Sequence, residues 1–314
     1  MRSALLTILL CPDCGGRLDS PAMRGGILSE GELRCLAGHA WPVRGGVPRF
    51  TGEEYAESFG FQWNRFSRTQ LDSASGSSES RDAFVEKTGF PLASLEGKRV
   101  LEVGCGMGRF LEVVADAGAQ AIGVDISAAV DAAQANLGNR PNVSIVQGDV
   151  FRLPFAPESF DLIYSIGVLH HTPDTREAFL RLPILLKAGG RIAIWVYGSL
   201  LRRYVVSDVL RPITSRLPKR LLLNLCRIAI PLGAWQKKSG IGPVWNLLMP
   251  VSQHPHPDWR WLDTFDWYSP RYQHKHSYKE VEGWFQSAGL EDVRRLSFPV
   301  SVSGRRPAEG ERLP

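Results

Sequence analysis

The sequence is short of cysteine, of long apolar runs and of any strong charge imbalance, and each shortage excludes something. Five cysteines among 314 residues are too few for a disulfide-built scaffold. No stretch of 18 uncharged apolar residues occurs, so the pattern predicts no membrane-spanning helix. The opening apolar run, Ala4 to Leu10, lacks a small-residue cleavage site and the spacing of a lipoprotein signal, so it reads as the first strand of a folded unit. Charged residues make up 22% and apolar residues 44%, an ordinary globular balance that excludes global disorder. With its reduced cysteines the chain reads as cytoplasmic.

What charge there is lies unevenly. Residues 199–240 hold nine basic residues (Arg202, Arg203, Arg211, Arg216, Lys219, Arg220, Arg227, Lys237 and Lys238) and one acid, Asp208, a net +8 that leaves −3 for the rest of a chain whose total is +5. An anionic partner would therefore meet this segment.

Along the chain, residues 1–50 are rich in glycine and turns, and 51–95 form a bridge with the aromatic stretch Phe59-Gly60-Phe61-Gln62-Trp63 and a helix at Asp82–Thr88. From Lys98, buried apolar strands (100–103, 121–125, 143–147, 160–165, 191–196) alternate with helices at Arg109–Ala117 and from Ser127 to Leu137. Periodicity fades over 199–273, a proline-interrupted segment, before a helix at Lys279–Ala288 and strands near Glu291–Phe298 and Val300–Ser303. This predicts an α/β fold: a doubly wound, mostly parallel seven-stranded Rossmann-like sheet (51–314), a small N-terminal unit (1–50) with its own core, and a helical lid over about 199–273.

Three cysteines and a histidine cluster at the N-terminus. Cys11-Pro12-Asp13-Cys14 forms a knuckle whose turn aims both sulfurs inward, and Cys35 and His39 supply a second pair. Three thiolates and an imidazole make a closed tetrahedral site, which favours structural zinc, Zn2+. Together with Trp41-Pro42-Val43 and Gly46-Val47-Pro48, the segment resembles the zinc-ribbon module found ahead of some methyltransferases. That module serves RNA and small-molecule enzymes alike and leaves the substrate open.

A Gly-rich turn follows the first main strand: Glu102-Val103-Gly104-Cys105-Gly106-Met107-Gly108-Arg109. Gly104 and Gly106 leave room for a ligand against backbone, and Gly108 permits close packing behind it. The spacing is Gly-x-Gly-x-Gly, which disfavours a dinucleotide. Arg109 reads equally as a carboxylate clamp or a solvated helix residue. With Asp125 at the end of the next strand, Gln147-Gly148-Asp149-Val150, the Phe160–His171 stretch and Lys187-Ala188-Gly189-Gly190, the chain resembles class I S-adenosylmethionine-dependent methyltransferases over 100–196.

The resemblance implies that S-adenosyl-L-methionine is held by Glu102, Gly104, Cys105, Gly106, Gly108, Asp125, Ile126, Asp149, Val150 and Ser165. Asp125 would accept the ribose hydroxyls and Asp149 the adenine amino hydrogens. Glu102 has a plainer reading, a buried carboxylate satisfied within the fold. His170 and His171 stand where the fourth strand meets the crevice. One of them is a potential catalytic base, though His170 packed against the loop and His171 opening a turn is the plainer reading. Methyl transfer from a sulfonium needs alignment and water exclusion, and a base only when the nucleophile keeps its proton.

The expected activity is methylation of a small-molecule or lipid-like acceptor, with 199–240 touching an anionic membrane or a lipid-linked substrate. The alternatives are an RNA base methyltransferase, whose basic segment would meet nucleic acid, and a non-catalytic zinc-ribbon adaptor. The aromatic, acidic stretch Trp261–Pro270 reads as a wall of the acceptor pocket.

Overall fold

The computed structural model describes all residues except 24, 52–55, 200–204, 240–243, 245, 247–249, 309 and 311–314. Arg202 and Arg203, singled out above, lie outside the described residues.

A four-stranded antiparallel sheet comes first, β1 (Leu18–Asp19), β2 (Gly31–Cys35), β3 (Ala40–Arg44) and β4 (Val47–Pro48), paired in that order. The opening segment expected as a strand is instead a single helical turn, Ser3–Leu6, followed by isolated bridges at Leu9 and Leu10. Its buried side chains Leu5, Ile8 and Leu9 follow i, i+3, i+4 spacing, the helical signature that seven apolar residues in a row concealed.

Seven strands build the main sheet: β5 (Arg99–Val103), β6 (Gln120–Asp125), β7 (Val143–Gln147), β8 (Phe160–Ile166), β9 (Leu186–Trp195), β10 (Glu291–Arg295) and β11 (Ser301–Arg305). Their spatial order is β10-β11-β9-β8-β5-β6-β7. The first five run parallel, and β11 and β10 close one edge antiparallel. The order reverses at β5, where the chain turns outward both ways, and ligands of such sheets sit at this switch point. Helices α1 (Glu57–Arg65), α2 (Glu79–Thr88), α3 (Arg109–Asp116), α4 (Ala129–Leu137) and α5 (Thr175–Leu180) precede β9. The lid supplies α6 (Val205–Thr214), α7 (Lys219–Cys226), α8 (Ala229–Lys238) and α9 (Pro257–Tyr268), and α10 (Tyr278–Ser287) leads into β10.

The N-terminal sheet does not keep a separate core. One continuous apolar cluster joins Leu5, Leu9, Leu33 and Val43 to Leu101, Val103, Ile122 and Val146. The seam is also hydrogen-bonded: the Phe50 amide donates to the Gln147 carbonyl at 2.8 Å, and Leu10 N–H to Pro154 O at 2.9 Å. A unit this small has little interior of its own, so it borrows the edge of the larger sheet.

The lid forms a second layer. Leu222, Leu223 and Cys226 of α7 pack with Trp261, Leu262 and Phe265 of α9. Val209, Leu210 and Ile213 of α6, Leu221 and Leu225 of α7, then Ile228 and Trp235, are 41–70% exposed.

Candidate functional site

A cavity of about 380 Å³ opens at the C-terminal ends of β5 and β8, beneath α9. At one end lies the glycine loop between β5 and α3. Gly104, Gly106 and Gly108 have φ of 81°, 51° and 95°, a region L side chains rarely enter. A Cβ on Gly104 would stand 2.3 Å from the Val168 side chain, and one on Gly108 2.7 Å from Leu137 of α4. Gly104 therefore keeps the loop tight against the β8 exit. Gly108 lets α3 pack on α4, a helix–helix contact rather than the helix–strand contact expected. Gly106 faces the cavity, and a Cβ added there would stand 3.3 Å from the indole Nε1 of Trp63.

Asp125, at the end of β6, also faces the cavity. Its Oδ2 accepts from Gly106 N–H at 2.9 Å, and its Oδ1 from the Ser127 amide and hydroxyl at 2.9 and 2.7 Å. Burial raises its pKa against these bonds. Oδ1 is already filled by its two Ser127 donors, whereas Oδ2 keeps a second lone-pair direction free for a ligand hydroxyl. The N-cap of α4 is Ala128 and not Ser127 as expected; the Ser127 hydroxyl accepts from Ala129 N–H at 3.2 Å and braces Asp125.

Glu102 is 2% exposed on β5 but touches the cavity. Burial pushes its pKa well up, while the Tyr164 hydroxyl donates to it at 3.0 Å. The plainer reading, a carboxylate satisfied within the fold, has Tyr164 as a side-chain donor unmarked in the sequence, beside a backbone bond from Leu111.

Cys105, Ile126 and Val150 line the cavity; Gly108, Asp149 and Ser165 do not. Asp149 accepts from Phe151 N–H at 3.1 Å, capping the short turn Val150–Arg152, and its neighbours Gly148 and Val150 form the wall. Ser165 is fully buried, and its hydroxyl donates to Val103 O at 2.9 Å, tying β8 to β5.

The two histidines part company. His171 lines the cavity and donates through Nδ1 to Tyr272 O at 2.8 Å, which leaves Nε2 as the acceptor. Burial drives it to about 4. His170 is not in the wall. It is fully buried and stacked on Tyr197 at 4.0 Å, and burial holds its pKa well below the usual range.

The opposite wall is aromatic and charged. From α9 come Trp259, Leu262, Asp263, Asp266 and Trp267, so part of the Trp261–Pro270 stretch does face the cavity. Burial raises Asp263 to about 7, with the charge of Asp266 adding, and Asp266 to about 6. The Ser252 hydroxyl donates to Asp263 at 3.1 Å and the Gln62 amide to Asp266 at 3.2 Å. Phe59, Gln62 and Trp63 of α1, Lys87 of α2, and Trp195 and Tyr197 beyond β9 complete the wall. Arg109 is neither of the two things expected alone: it is buried, donates to Ser80 Oγ and Gln70 Oε1 at 3.0 and 3.3 Å, and lies 4.9 Å from the Trp259 ring centre. Lys87 and the α1 residues carry no motif, so only their aromatic company marked them in the sequence.

Far from this cavity, Cys11, Cys14, Cys35 and His39 bring four ligand atoms within 4.8 Å of one another. His39 Nδ1 is 3.5 Å from Cys11 Sγ and 3.4 Å from Cys35 Sγ, and the Cys14 and Cys35 sulfurs are 3.6 Å apart. Burial pushes the Cys35 thiol up, but the backbone N–H groups of His39 and Ala37 and the side chains of Cys14 and His39 bring it down to about 6.

Residues 101–194 match the family model described as "Methyltransferase domain". The chain is 32% identical over 134 residues to a ubiquinone biosynthesis O-methyltransferase of Thiobacillus denitrificans, covering 41% of this chain and 56% of that protein. It is 33% identical over 131 residues to a probable tRNA methyltransferase 9B of Mus musculus, covering 40% and 28%. Among solved structures it is similar to magnesium protoporphyrin IX methyltransferase from Synechocystis PCC 6803, at 17% identity and TM-score 0.46 over 81% of this chain and 97% of that one. The chain spans about half the length of the curated relatives it matches. Residues 101–194 therefore carry a methyltransferase domain, set in the mostly parallel sheet described above.

Proposed function

We propose that the protein transfers a methyl group from S-adenosylmethionine to a small-molecule acceptor. The observation that carries this is one cavity with two unlike ends: a glycine loop and Asp125 on one side, an aromatic and acidic wall on the other. The first end fits the cofactor, because side chains are absent where backbone must meet a ligand and Asp125, braced by Ser127, keeps acceptor capacity on Oδ2. Glu102, Ile126 and Val150 extend that surface, and Asp149 would reach the adenine edge only by rotating from its cap.

When bound, S-adenosylmethionine supplies an electrophilic methyl group. The chain must hold the acceptor in line and exclude water. Trp63 and Phe59 of α1 and Trp259 and Trp267 of α9 close over the loop and serve the second task. Where the acceptor carries a proton, Asp263 and Asp266 are better acceptors than the histidines. A base works best with a pKa near the working pH, and theirs are about 7 and 6 while His171 lies at about 4.

The N-terminal tetrad fits structural zinc. Zinc–sulfur bonds of about 2.3 Å place tetrahedral sulfurs about 3.7 Å apart, close to the separations found here. With no ligand position left over, the metal would stabilise the ribbon and take no part in chemistry.

The lid's outer face supports a lipid surface more than RNA. Lys219 and Arg220 stand on α7 with exposed Leu221 and Leu225, Arg216 lies in the turn after exposed Ile213 of α6, and Arg227 and exposed Ile228 join α7 to α8. Phosphate backbones need the charges alone, whereas an anionic bilayer uses both. The acceptor is then lipid-like or met at a membrane.

The test is label transfer. Protein is incubated with methyl-labelled S-adenosylmethionine and either an organic-phase extract or total RNA. Label in a small organic-soluble product supports the reading. Label in RNA, or in neither fraction, contradicts it.

A further inference from the structure

Two cations line the cavity, and only one is answered by the protein. Arg109 spends its guanidinium on Ser80 and Gln70. Lys87, one turn from the end of α2, is 9% exposed. Its Nζ sits 3.9 Å from the centre of the Trp195 ring and 4.6 Å from that of Phe298. Among the described residues, no carboxylate lies within ion-pair reach of it and no oxygen accepts its hydrogens. Ring faces attract an ammonium but give its three N–H donors no lone pair. A buried ammonium in that state is costly, and here burial and the charge of Arg109 bring the lysine down to about 7. An anion arriving in the cavity would relieve both deficits.

The position says which ligand could bring it. Trp195 ends β9 and Phe298 lies between β10 and β11, on one side of β5. Asp125 ends β6, on the other side. The lysine thus belongs to the half of the sheet away from the ribose end. Trp195 beside it, Tyr197 5.4 Å from Trp195, and Trp259 give the cavity aromatic walls, although His170 stacks on Tyr197 and His254 on Trp259. We propose that Lys87 anchors an acidic group of the acceptor, and that the acceptor is an aromatic acid whose ring lies among these side chains. This rests on the methyltransferase reading. Asp263 and Asp266 share the cavity, and their charges, partly met by the Ser252 and Gln62 donors, oppose an anion more as pH rises through about 6 to 7.

The experiment is calorimetry on the full chain saturated with S-adenosylhomocysteine. The probes are 3,4-dihydroxybenzoate, catechol and dopamine, which share a ring and differ in charge. The unmodified protein should bind the benzoate at least about tenfold more tightly than catechol, the worth of one charge-assisted contact. Lys87→Met should bring the two to parity, and Lys87→Arg should keep most of the preference. Both variants should bind S-adenosylhomocysteine as the unmodified protein does, which also shows that they fold. Parity in the unmodified protein, tighter binding of dopamine, no binding of any probe, or a preference that survives Lys87→Met would each overturn the proposal. So would a Lys87→Met variant that loses S-adenosylhomocysteine but keeps methylthioadenosine, because the lysine would then hold the cofactor's own carboxylate. Failure of the unmodified protein to bind S-adenosylhomocysteine would sink the methyltransferase reading instead.

Discussion

Asp125 shows how a single side chain couples loop geometry to binding. Its carboxylate ties the Gly106 amide to Ser127, so it shapes the glycine turn while facing the cavity. Asp125→Ala should weaken S-adenosylhomocysteine by about tenfold to a hundredfold, from the loss of one or two charge-assisted bonds. Unchanged affinity by calorimetry would remove it from the site. Gly104→Ala should do more, since its Cβ would overlap Val168 at a φ of 81°. A thermal scan should show clear destabilisation, and none would mean that the loop has slack. The cavity also sets a pH signature. Asp263 titrates at about 7 in the folded chain and near 3.8 when unfolded, so its contribution to stability is full below about 4 and lost as pH rises to 7. Lys87, at about 7 against 10.5, contributes fully above 10.5 and loses this as pH falls to 7. Asp263→Asn should therefore gain on the unmodified protein between pH 4 and 7, by at most about 1.4 kcal/mol per pH unit. A pH-independent difference in denaturant unfolding would contradict that placement. The motif residues were legible because a loop that meets a ligand limits its side chains sharply. Lys87 and Tyr164 were not, because their meaning lies in what burial denies them and in partners 62 or more residues distant.

Among the elements, the N-terminal ribbon is where reading by segment fell short. The knuckle and its second pair of ligands were legible from spacing, and the four ligand atoms do converge. The shared core was not, because a short apolar run does not say which surface it will cover. Leu9 bridges to Phe155 and Arg49 to Gln147, so the ribbon leans on β7 and the loop after it. Cys35→Ser should therefore raise amide exchange in β2 and β3 and in β7 together, and lower zinc content from one per chain. Exchange confined to the ribbon would restore the view of two independent cores. The lid, by contrast, was legible as helical in outline: Pro218 and Pro257 sit at helix starts, and Pro212 and Pro231 inside α6 and α8. Which faces it would bury was set by α9. Replacing Leu221, Leu225 and Ile228 by Ser should abolish sedimentation with anionic vesicles, while Arg216, Lys219 and Arg220 to Ser should weaken it most at low salt. Equal vesicle binding by both variants would make the face ordinary surface.

At the scale of the whole molecule, the sheet order brings the parts to one place. The reversal at β5 opens a crevice, with β6 and β7 on the half we propose for the cofactor and β8, β9 and α9 on the half we propose for the acceptor. The alternating strands and helices made that order legible, since buried parallel strands read as apolar runs and the connections are short. The acceptor half was less so, because its residues come from α1, α2, β9 and α9, remote in sequence and joined only by packing. The account's central claim is that this crevice holds S-adenosylmethionine. Titrating S-adenosylhomocysteine into the full chain by calorimetry tests it most directly. The account predicts one molecule bound per chain, with affinity reduced in Asp125→Ala and retained in Lys87→Met. Absence of binding, or binding indifferent to Asp125, would contradict it.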